Sequence, residues 1–168
     1  MAPARIRRID ISHIADLIRI AEETNLNRWT AQHYLDELKN PFSMMFRLEA
    51  DDTSTIGFVV GRIVAGSTED APDAEIYNIG VSPAFQRSGF GQTLLDAFFA
   101  ACHQKNVRSV WLEVRELNQP AVNLYLKNGF VPITVRKDYY SEPRDNGILM
   151  SCLMEKHLPE AAVEKTLT

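Results

Sequence analysis

The sequence predicts an α/β fold in which a mixed central sheet of about seven strands carries helices on both faces. Strand-like and helix-like patterns follow one another in the order β-α-α-β-β-β-α-β-α-β-β. Strands that alternate with crossover helices form sheets that are covered on both sides. The 168 residues, 45% of them hydrophobic, suit one domain with one core. We therefore expect a single domain over residues 1–157, followed by a flexible tail over residues 158–168.

Hydrophobic periodicity places five elements in the N-terminal half of the chain. Apolar residues at a spacing of three or four predict two amphipathic helices, and alternation of apolar with polar residues predicts three strands. Asp10 or Ser12 is expected to cap the first helix, and Thr30 the second. The predicted elements are a strand at 5–9, a helix that ends at Thr24, a helix at 31–39, and strands at 43–49 and 56–65 with a hairpin turn at 51–55.

The C-terminal half begins with a polar stretch, Gly66 to Asp73, which we expect to be a loop. The central strand starts after it at Glu75 and ends at Ser82-Pro83, since proline lacks the N–H group that a strand ladder needs. Asn128-Gly129 is expected to end a later helix in a left-handed cap. The other predicted elements are a helix at 90–104, a strand at 109–115, a helix at 118–127, and strands at 130–136 and 147–155 that are joined through residues 138–146.

Composition and charge narrow the classes of function. No apolar run approaches the ~20 residues of a membrane helix, and no apolar signal core follows the basic N-terminus, so we expect a cytoplasmic protein without a membrane partner. The net charge of −4 argues against a nucleic-acid partner. The cysteines, Cys102 and Cys152, and the four scattered histidines suggest neither a disulfide framework nor a metal site. We expect neither cysteine to have a histidine or another base close in sequence that could activate its thiol, so we reject a ping-pong mechanism through an acetylated cysteine.

A glycine-rich turn, Gln86 to Gly91, joins the central strand to the helix at 90–104. Its two glycines lie one residue apart, which lets the backbone turn tightly and expose its N–H groups. These amides and the positive end of the helix form a socket for phosphate oxygens, to which Arg87 adds a positive charge. The turn lacks the Gly-Lys-Ser/Thr of a nucleoside triphosphate P-loop and the three glycines of the Rossmann fingerprint.

The turn fits the Q/R-x-x-G-x-G/A pattern of the GNAT superfamily of acetyl-CoA-dependent N-acetyltransferases. The segments YNIGVSPAFQRSGFG, WLEVRELNQPAVNLYLKNGF and VRKDYY together resemble one branch of it, the ribosomal-protein-alanine N-acetyltransferases, or RimI enzymes. The resemblance is strong from Ile76 to Tyr140 and weaker before. It implies the GNAT fold, in which the fourth and fifth strands splay apart, and acetyl-CoA as the cosubstrate, without a metal.

The resemblance also implies which residues bind acetyl-CoA. Backbone groups of one strand segment match those that hold the acetyl end and the pantetheine, and the residues of the glycine-rich turn match the pyrophosphate loop. The first set is Ile79, Gly80 and Val81, and the second is Arg87, Ser88, Gly89, Phe90, Gly91 and Gln92. Asn118 is a helix cap from the residues alone, and the matching asparagine of the family hydrogen-bonds CoA; the two roles are compatible.

Two residues match the catalytic pair of the resembled enzymes. Glu113 lies in an otherwise apolar strand, beside buried surface that favours a protonated carboxyl group. From the residues alone, a charged strand residue paired with Arg115 or another base is favoured, whereas the resemblance makes Glu113 the general base. Tyr125 from the residues alone is a core aromatic on a helix. The resemblance implies that its hydroxyl protonates the departing thiolate of CoA.

Three aromatic residues, Trp29, Tyr139 and Tyr140, match positions that flank the acceptor peptide in the resembled enzymes. Surface aromatics that stabilise loops are the equal alternative. The resemblance implies direct acetyl transfer to a protein N-terminus, that of a ribosomal protein that begins with alanine. An acetyltransferase for lysine side chains or small amines, and a non-catalytic acetyl-CoA-binding module, are alternatives. The chain departs from its relatives at Arg28, where many have proline, and in the length of the stretch at 66–73.

Overall fold

The computed structural model describes residues 4–157, which form seven strands and four α-helices. Three short 3-10 turns lie at residues 11–13, 83–85 and 154–157. Within the described residues, no helix combines the length and the apolar character that crossing a bilayer requires. The strands and helices are β1 (Arg5–Arg8), α1 (Ile14–Glu23), α2 (Ala31–Lys39), β2 (Ser43–Glu49), β3 (Thr55–Thr68), β4 (Ala71–Val81), α3 (Phe90–Gln104), β5 (Ser109–Arg115), α4 (Gln119–Lys127), β6 (Val131–Ser141) and β7 (Arg144–Leu153).

The strands form one mixed sheet of order β1-β2-β3-β4-β5-β7-β6, which confirms the predicted α/β class and strand number. The described chain divides into two compact units. The first unit comprises residues 4–63 and 76–101, and the second comprises residues 64–75 and 102–157. The predicted tail at 158–168 lies outside the described residues.

The core of the first unit lies between α1, α2 and the antiparallel strands β1, β2 and β3. One face of α1 is buried through Ile14, Leu17 and Ile20, which recur at helical spacing. Tyr34 of α2 packs edge-on against Phe58 of β3, with ring centroids 6.2 Å apart, and both residues are fully buried. Burial of each aliphatic side chain of α1 contributes about 1.5–3 kcal/mol to the stability of the fold. This core therefore holds the N-terminal elements against the sheet.

The predicted cap of the second helix is confirmed, whereas Asp10 caps the 3-10 turn at residues 11–13, and α1, which follows His13, has no side-chain cap of its own. The Asp10 carboxylate accepts a hydrogen bond of 2.8 Å from the Ser12 N–H, although the first helix opens with a 3-10 turn before α1. Thr30 caps α2 by accepting from the His33 N–H. At the end of α4, Gly129 has a φ of 81°, the left-handed conformation that glycine adopts without strain.

The second unit contains the antiparallel strands β5, β7 and β6 and the helix α4. In β5 the side chains of Val110, Leu112 and Val114 are buried, and the residues between them face the other side of the strand. The register pairs Glu113 with Leu149, and Leu149 with Thr134. Strands β5 and β6 carry Glu113, Tyr139 and Tyr140 of the predicted site.

The loop predicted at Gly66 to Asp73 is wrong. Strand β3 continues to Thr68 and β4 starts at Ala71, so only residues 69 and 70 turn the chain. A Cβ atom at residue 66 would lie 1.8 Å from the Ala71 carbonyl oxygen. The glycine therefore lies where two paired strands approach closely. The polar composition of residues 66–73 is typical of a loop, which is why the pairing was not predicted.

The connection predicted at residues 138–146 is wrong for most of its length. Strand β6 continues to Ser141 and β7 starts at Arg144, with only residues 142 and 143 between them. The register shifts between Arg136 and Tyr140, and Asp138 within this β-bulge has a φ of 52°. A bulge inserts unpaired residues and breaks the alternation of side chains, so the period-2 signal ended at residue 136.

Candidate active site

The predicted phosphate turn lies between the end of β4 and the start of α3. The Gln86 side-chain amide donates a hydrogen bond of 3.0 Å to the Val81 carbonyl, which closes the turn on the strand. Arg87 and Gly89 have φ angles of 60° and 82°, so two positions of the turn are left-handed. A non-glycine residue with positive φ is uncommon and concentrates at ligand-binding turns.

The turn leaves open space where a phosphate group would lie. A Cβ atom at Gly89 would have no atom of the described residues within 4 Å beyond its own neighbours. The first intrahelical bond of α3 runs from the Thr93 N–H to the Gly89 carbonyl at 3.1 Å. The N–H groups before Thr93 in a helix have no intrahelical acceptor, and the helix dipole favours an anion beside them. The residues present therefore fit the pyrophosphate of CoA.

Strand β4 passes very close to the end of α1 at Gly80. A Cβ atom there would lie 2.8 Å from the Leu26 Cδ1 atom and 3.2 Å from the Thr24 hydroxyl oxygen. Glycine at this position lets the strand segment Ile79–Val81, predicted to bind the acetyl end of acetyl-CoA, pack against the first unit's helices. The segment thus has a fixed place relative to α1.

Asn78, next to that segment, is a residue that the sequence analysis missed. It is 3% exposed, and its side-chain nitrogen has no hydrogen-bond partner among residues 4–157. A buried donor without a partner is costly, and such groups commonly await a ligand or a water. The available signal was a polar amide in an otherwise apolar strand.

Trp29 lies in an aromatic cluster rather than on a free loop. Its ring centroid is 5.3 Å from that of Tyr34 and 5.6 Å from that of Tyr77. The Arg62 guanidinium lies over the Tyr77 ring at 5.7 Å and is ion-paired to the buried Glu37 carboxylate. Trp29 is partly buried by these contacts and by the core of the first unit, so it presents a rigid surface.

Glu113, the predicted general base, has a side chain that is 18% exposed. Its carboxylate oxygen Oε2 lies 3.3 Å from the Arg136 guanidinium, so β6 supplies the partner. Arg115 does not pair with Glu113 but donates hydrogen bonds of 2.8 and 3.2 Å to the carbonyls of Pro143 and Glu142. The sequence favoured a pairing of Glu113 with Arg115 or another base, and the structure shows the second, because Arg136 from a distant strand is the partner.

Tyr139 and Tyr140 lie on strand β6 and not in a loop, which corrects the sequence interpretation. The Glu113 carboxylate, through its interaction with the Tyr139 hydroxyl, raises the pKa of Tyr139. The Tyr140 ring meets that of Tyr139 edge-on at 5.0 Å and receives the Arg115 guanidinium on its face at 4.0 Å. Burial, and then the negative charge of Glu113, raise the pKa of Tyr140 to about 12.

Tyr125 lies on α4, 5% exposed, with its ring centroid 5.5 Å from that of Phe130. Burial, and then the nearby Tyr140, raise the pKa of Tyr125 well above its usual value of 10.0. Because a thiol has a pKa of about 8.5, complete proton transfer from Tyr125 to a thiolate is uphill. A hydrogen bond from the neutral phenol to a developing thiolate has no such cost.

We expect Tyr125→Phe to slow turnover by roughly tenfold while acetyl-CoA affinity stays nearly unchanged, because only the hydroxyl is removed from a packed ring. The measurement is kcat beside the dissociation constant of acetyl-CoA. A variant that turns over at the full rate at neutral pH contradicts the role of the hydroxyl.

Asn118 is the N-cap of α4, as one of its two predicted roles requires. Its side-chain oxygen accepts a hydrogen bond of 3.3 Å from the Ala121 N–H. The cap leaves the side-chain nitrogen for another acceptor, so the predicted contact with CoA stays compatible with it.

The two cysteines differ in their surroundings. Cys102 is fully buried, and burial raises the pKa of its thiol to about 12. Cys152 lies 3.2 Å from the His157 Nε2 atom, so the statement that neither cysteine has a base close in sequence is wrong. However, His157 Nε2 also lies 2.8 Å from the Asn128 carbonyl, which can only accept, so this nitrogen carries a proton and cannot take one from Cys152.

The structure brings four predicted residues together within the second unit: Glu113, Tyr125, Tyr139 and Tyr140. The phosphate turn, the Ile79–Val81 segment and Trp29 belong to the first unit. Among residues 4–157, no three His, Cys, Asp or Glu side chains are grouped so that they could hold a metal ion.

Comparison with known proteins gives consistent matches. Residues 14–130 match the model of the acetyltransferase (GNAT) family. A protein of Bacillus subtilis, provisionally named a ribosomal protein bS18-alanine N-acetyltransferase, is 30% identical over 88% of this chain and 93% of its own length. The Haemophilus influenzae ribosomal protein bS18-alanine N-acetyltransferase is 36% identical over 62% of this chain and 68% of its own length. The crystal structure of the Escherichia coli ribosomal-protein-S18-alanine N-acetyltransferase superposes with a TM-score of 0.78 at 25% identity, covering 90% of this chain and 94% of that one.

Proposed function

The chain belongs to the GNAT family of acetyltransferases and is an acetyl-CoA-dependent protein N-acetyltransferase, and from this premise we propose that its acceptor is the α-amine of a protein N-terminus. The ion pair of Glu113 with Arg136, whose guanidinium also lies 5.4 Å from the centroid of the Tyr139 ring, carries the proposal. It puts the proposed base beside the two tyrosines that are proposed to flank an acceptor peptide. The family match at 14–130 includes residues of both compact units, which supports one catalytic domain over residues 1–157.

Most of the residues proposed to bind the donor belong to the first unit. Backbone N–H groups of the turn at Arg87–Gln92 hold the pyrophosphate, and Arg87 adds its charge. Backbone groups of Ile79, Gly80 and Val81 align the pantetheine and polarise the thioester carbonyl. Bound acetyl-CoA supplies an activated acetyl group, and Asn118 contributes a side-chain amide.

Residues of the second unit are proposed to handle the proton transfers of the reaction. An ammonium group has no lone pair, so Glu113, acting through a water molecule, first accepts a proton from the acceptor amine. The amine nitrogen then forms a bond to the acetyl carbon as the carbon–sulfur bond breaks. The Tyr125 hydroxyl donates a hydrogen bond to the departing sulfur, which ends as a thiol with one of the two protons that nitrogen loses.

The state of the thiols supports direct attack in a ternary complex. A ping-pong mechanism needs a nucleophile whose proton an adjacent base removes. Burial keeps Cys102 protonated, and the His157 nitrogen nearest Cys152 already carries a proton. These observations support transfer from acetyl-CoA to the amine without an acetyl-enzyme.

The proposed acceptor is a ribosomal protein that begins with alanine after removal of methionine. The names of the Haemophilus influenzae and Escherichia coli relatives give ribosomal protein bS18 or S18 and alanine, which supports this choice. A ribosomal acceptor implies action in the cytoplasm. Trp29, Tyr139 and Tyr140 would contact the first residues of the acceptor.

We expect a peptide with a free N-terminal alanine to be acetylated at its α-amine, far faster than a peptide with a blocked N-terminus and an internal lysine. An α-amine has a pKa near ~8 and a lysine amine near ~10.4, so freeing the lysine lone pair at neutral pH costs about 3 kcal/mol more. One glutamate acting through water is a modest base and suits the easier proton.

The measurement is the acetylation rate of both peptides, with the modified atom mapped by mass spectrometry. A third peptide, with both amines free, serves as the internal control because the two sites then compete in one tube. Modification mainly at lysine, or equal rates, contradicts the N-terminal assignment in favour of lysine acetylation. Polyamines added in place of peptide test small amines in the same assay.

A further inference from the structure

Two residues of strand β6 approach the Glu113 carboxylate, and the strand register explains why. Arg115 of β5 pairs with Gly147 of β7, which in turn pairs with Arg136 of β6. Glu113 lies two residues before Arg115, so its side chain points to the same face of the sheet. Arg136 therefore lies diagonally across one strand from Glu113, and its guanidinium reaches the carboxylate at 3.3 Å.

Gly147, which lies between Arg115 and Arg136 across the three strands, has no side chain. A Cβ atom at Gly147 would lie 3.0 Å from the Tyr139 Cδ1 atom and 3.2 Å from its Cγ atom. The Tyr139 ring thus occupies the space above Gly147, and Glu113 is close enough to raise the pKa of Tyr139. The Arg136 guanidinium lies 5.4 Å from the centroid of the same ring, so the two β6 residues support each other.

The bulge makes this arrangement possible. Residues between Arg136 and Tyr140 have no partner in the β6–β7 register, and the Asp138 N–H bonds instead to the Asn146 side-chain oxygen at 2.9 Å. Without the extra residues, Tyr139 would follow the regular alternation of the strand. The bulge therefore turns Tyr139 back toward β5.

We propose that Arg136 and Tyr139 are positioning residues that hold the Glu113 carboxylate in one orientation for proton removal from the acceptor amine. The role rests on the proposed function, in which Glu113 is the base. A carboxylate offers about four acceptor sites, and the Arg136 guanidinium, 3.3 Å from Oε2, lies within reach of one of them. The remaining sites face a water or the amine, and the paired arginine keeps the side chain from rotating away.

The other charged or titratable groups around this cluster have partners of their own. Arg115 from β5 lies on the Tyr140 ring. Asp145 from β7 accepts a hydrogen bond from the Leu117 N–H at 3.2 Å, and Tyr125 from α4 is buried. Arg136 thus supplies the guanidinium that pairs directly with the proposed base.

A double-mutant cycle on acetylation of an N-terminal alanine peptide tests the proposal. We expect Arg136→Ala to lower kcat about tenfold at neutral pH, part of the roughly 10²-fold that a base contributes, with the KM for acetyl-CoA unchanged. In a Glu113→Gln background the same change should cost less than twofold, because a residue that acts through Glu113 has nothing left to position. Arg136→Lys should recover part of the rate, since it keeps the charge but not the planar fork.

The loss caused by Arg136→Ala should also shrink near pH 9, where the α-amine is deprotonated without a base. A residue that only supports the fold would show no such pH dependence. Tyr139→Phe separates the hydroxyl from the ring, and a fall in kcat is expected there too. Arg144→Ala is the matched control, because it breaks an exposed ion pair with Asp138 on the same hairpin and leaves Glu113 untouched.

The outcomes are distinguishable. Equal losses from Arg136→Ala in the wild-type and Glu113→Gln backgrounds, or no loss in the wild type, overturn the positioning role alone. Full activity of Glu113→Gln overturns the base assignment of the proposed function, and the positioning role with it. Loss of rate only in the wild-type background, with kcat changed and KM unchanged, supports the proposal. Circular dichroism and thermal unfolding of each variant show whether the fold is retained.

Discussion

We expect Glu113→Gln to lower turnover of an N-terminal alanine peptide by roughly 10²-fold or more at neutral pH. Glutamine keeps the shape of the side chain, but it cannot remove a proton. The loss should shrink as the pH rises above ~8, because the α-amine then loses its proton unaided. The measurement is kcat between pH 6 and pH 10, with the fold checked by thermal unfolding.

Glu116→Gln is the control for this experiment. The Glu116 carboxylate accepts a hydrogen bond of 2.7 Å from the Asn146 side chain, and a glutamine oxygen can accept the same bond. The control removes one carboxylate three residues from Glu113 without touching the proposed base. A Glu113→Gln enzyme that keeps its full rate at neutral pH would refute the assignment, whatever the control shows.

The second large effect is expected at the phosphate turn. Gly89→Val should raise the KM for acetyl-CoA by tenfold or more, equivalent to at least about 1.4 kcal/mol of binding free energy. The φ of 82° is unfavourable for a β-branched residue, and the valine side chain would fill the space that is open above Gly89. The first effect distorts the turn, and the second obstructs the approach of a phosphate.

Gly129→Val separates these two causes. Gly129 has a φ of 81°, almost the same backbone conformation, but it ends α4 and lies outside the phosphate turn. Both variants should lose stability through backbone strain, of the order of 1–3 kcal/mol. Only Gly89→Val should weaken acetyl-CoA binding. Equal acetyl-CoA affinity in wild type and a folded Gly89→Val protein would show that this turn does not bind the phosphates.

The features that the sequence predicted well depend on neighbouring residues. The caps at Asp10 and Thr30 and the left-handed Gly129 each require only a few adjacent positions, and all three are observed. The glycine-rich turn was likewise identified from six consecutive residues. Such features follow from local backbone preferences, so a few consecutive residues are enough to predict them.

The features that it predicted poorly depend on pairing between distant segments. Gly66 was predicted to lie in a loop because its close approach to Ala71 depends on the pairing of two strands. Tyr139 was predicted to lie in a loop because the bulge in β6 interrupts the alternation of the strand. The ion pair between Glu113 and Arg136 spans three strands, so it appears only when their register is fixed. The contact between Cys152 and His157 is local, but it depends on the 3-10 turn at residues 154–157, where the predicted strand extended to residue 155.

The contacts of Arg115 with the β6–β7 hairpin limit how segments can be exchanged between related enzymes to alter acceptor preference. Its guanidinium grips the tip of the β6–β7 hairpin through two backbone carbonyls and lies flat on Tyr140, while Glu113 lies two residues away on the same strand. This chain's β6–β7 hairpin, transplanted into another acetyltransferase, would therefore lack the arginine that holds it unless β5 were transplanted with it. The smallest portable cassette for altering selectivity is thus β5 through β7, residues 109–153, and a chimera cut between Lys127 and Val131 should bind acetyl-CoA normally yet handle acceptors poorly.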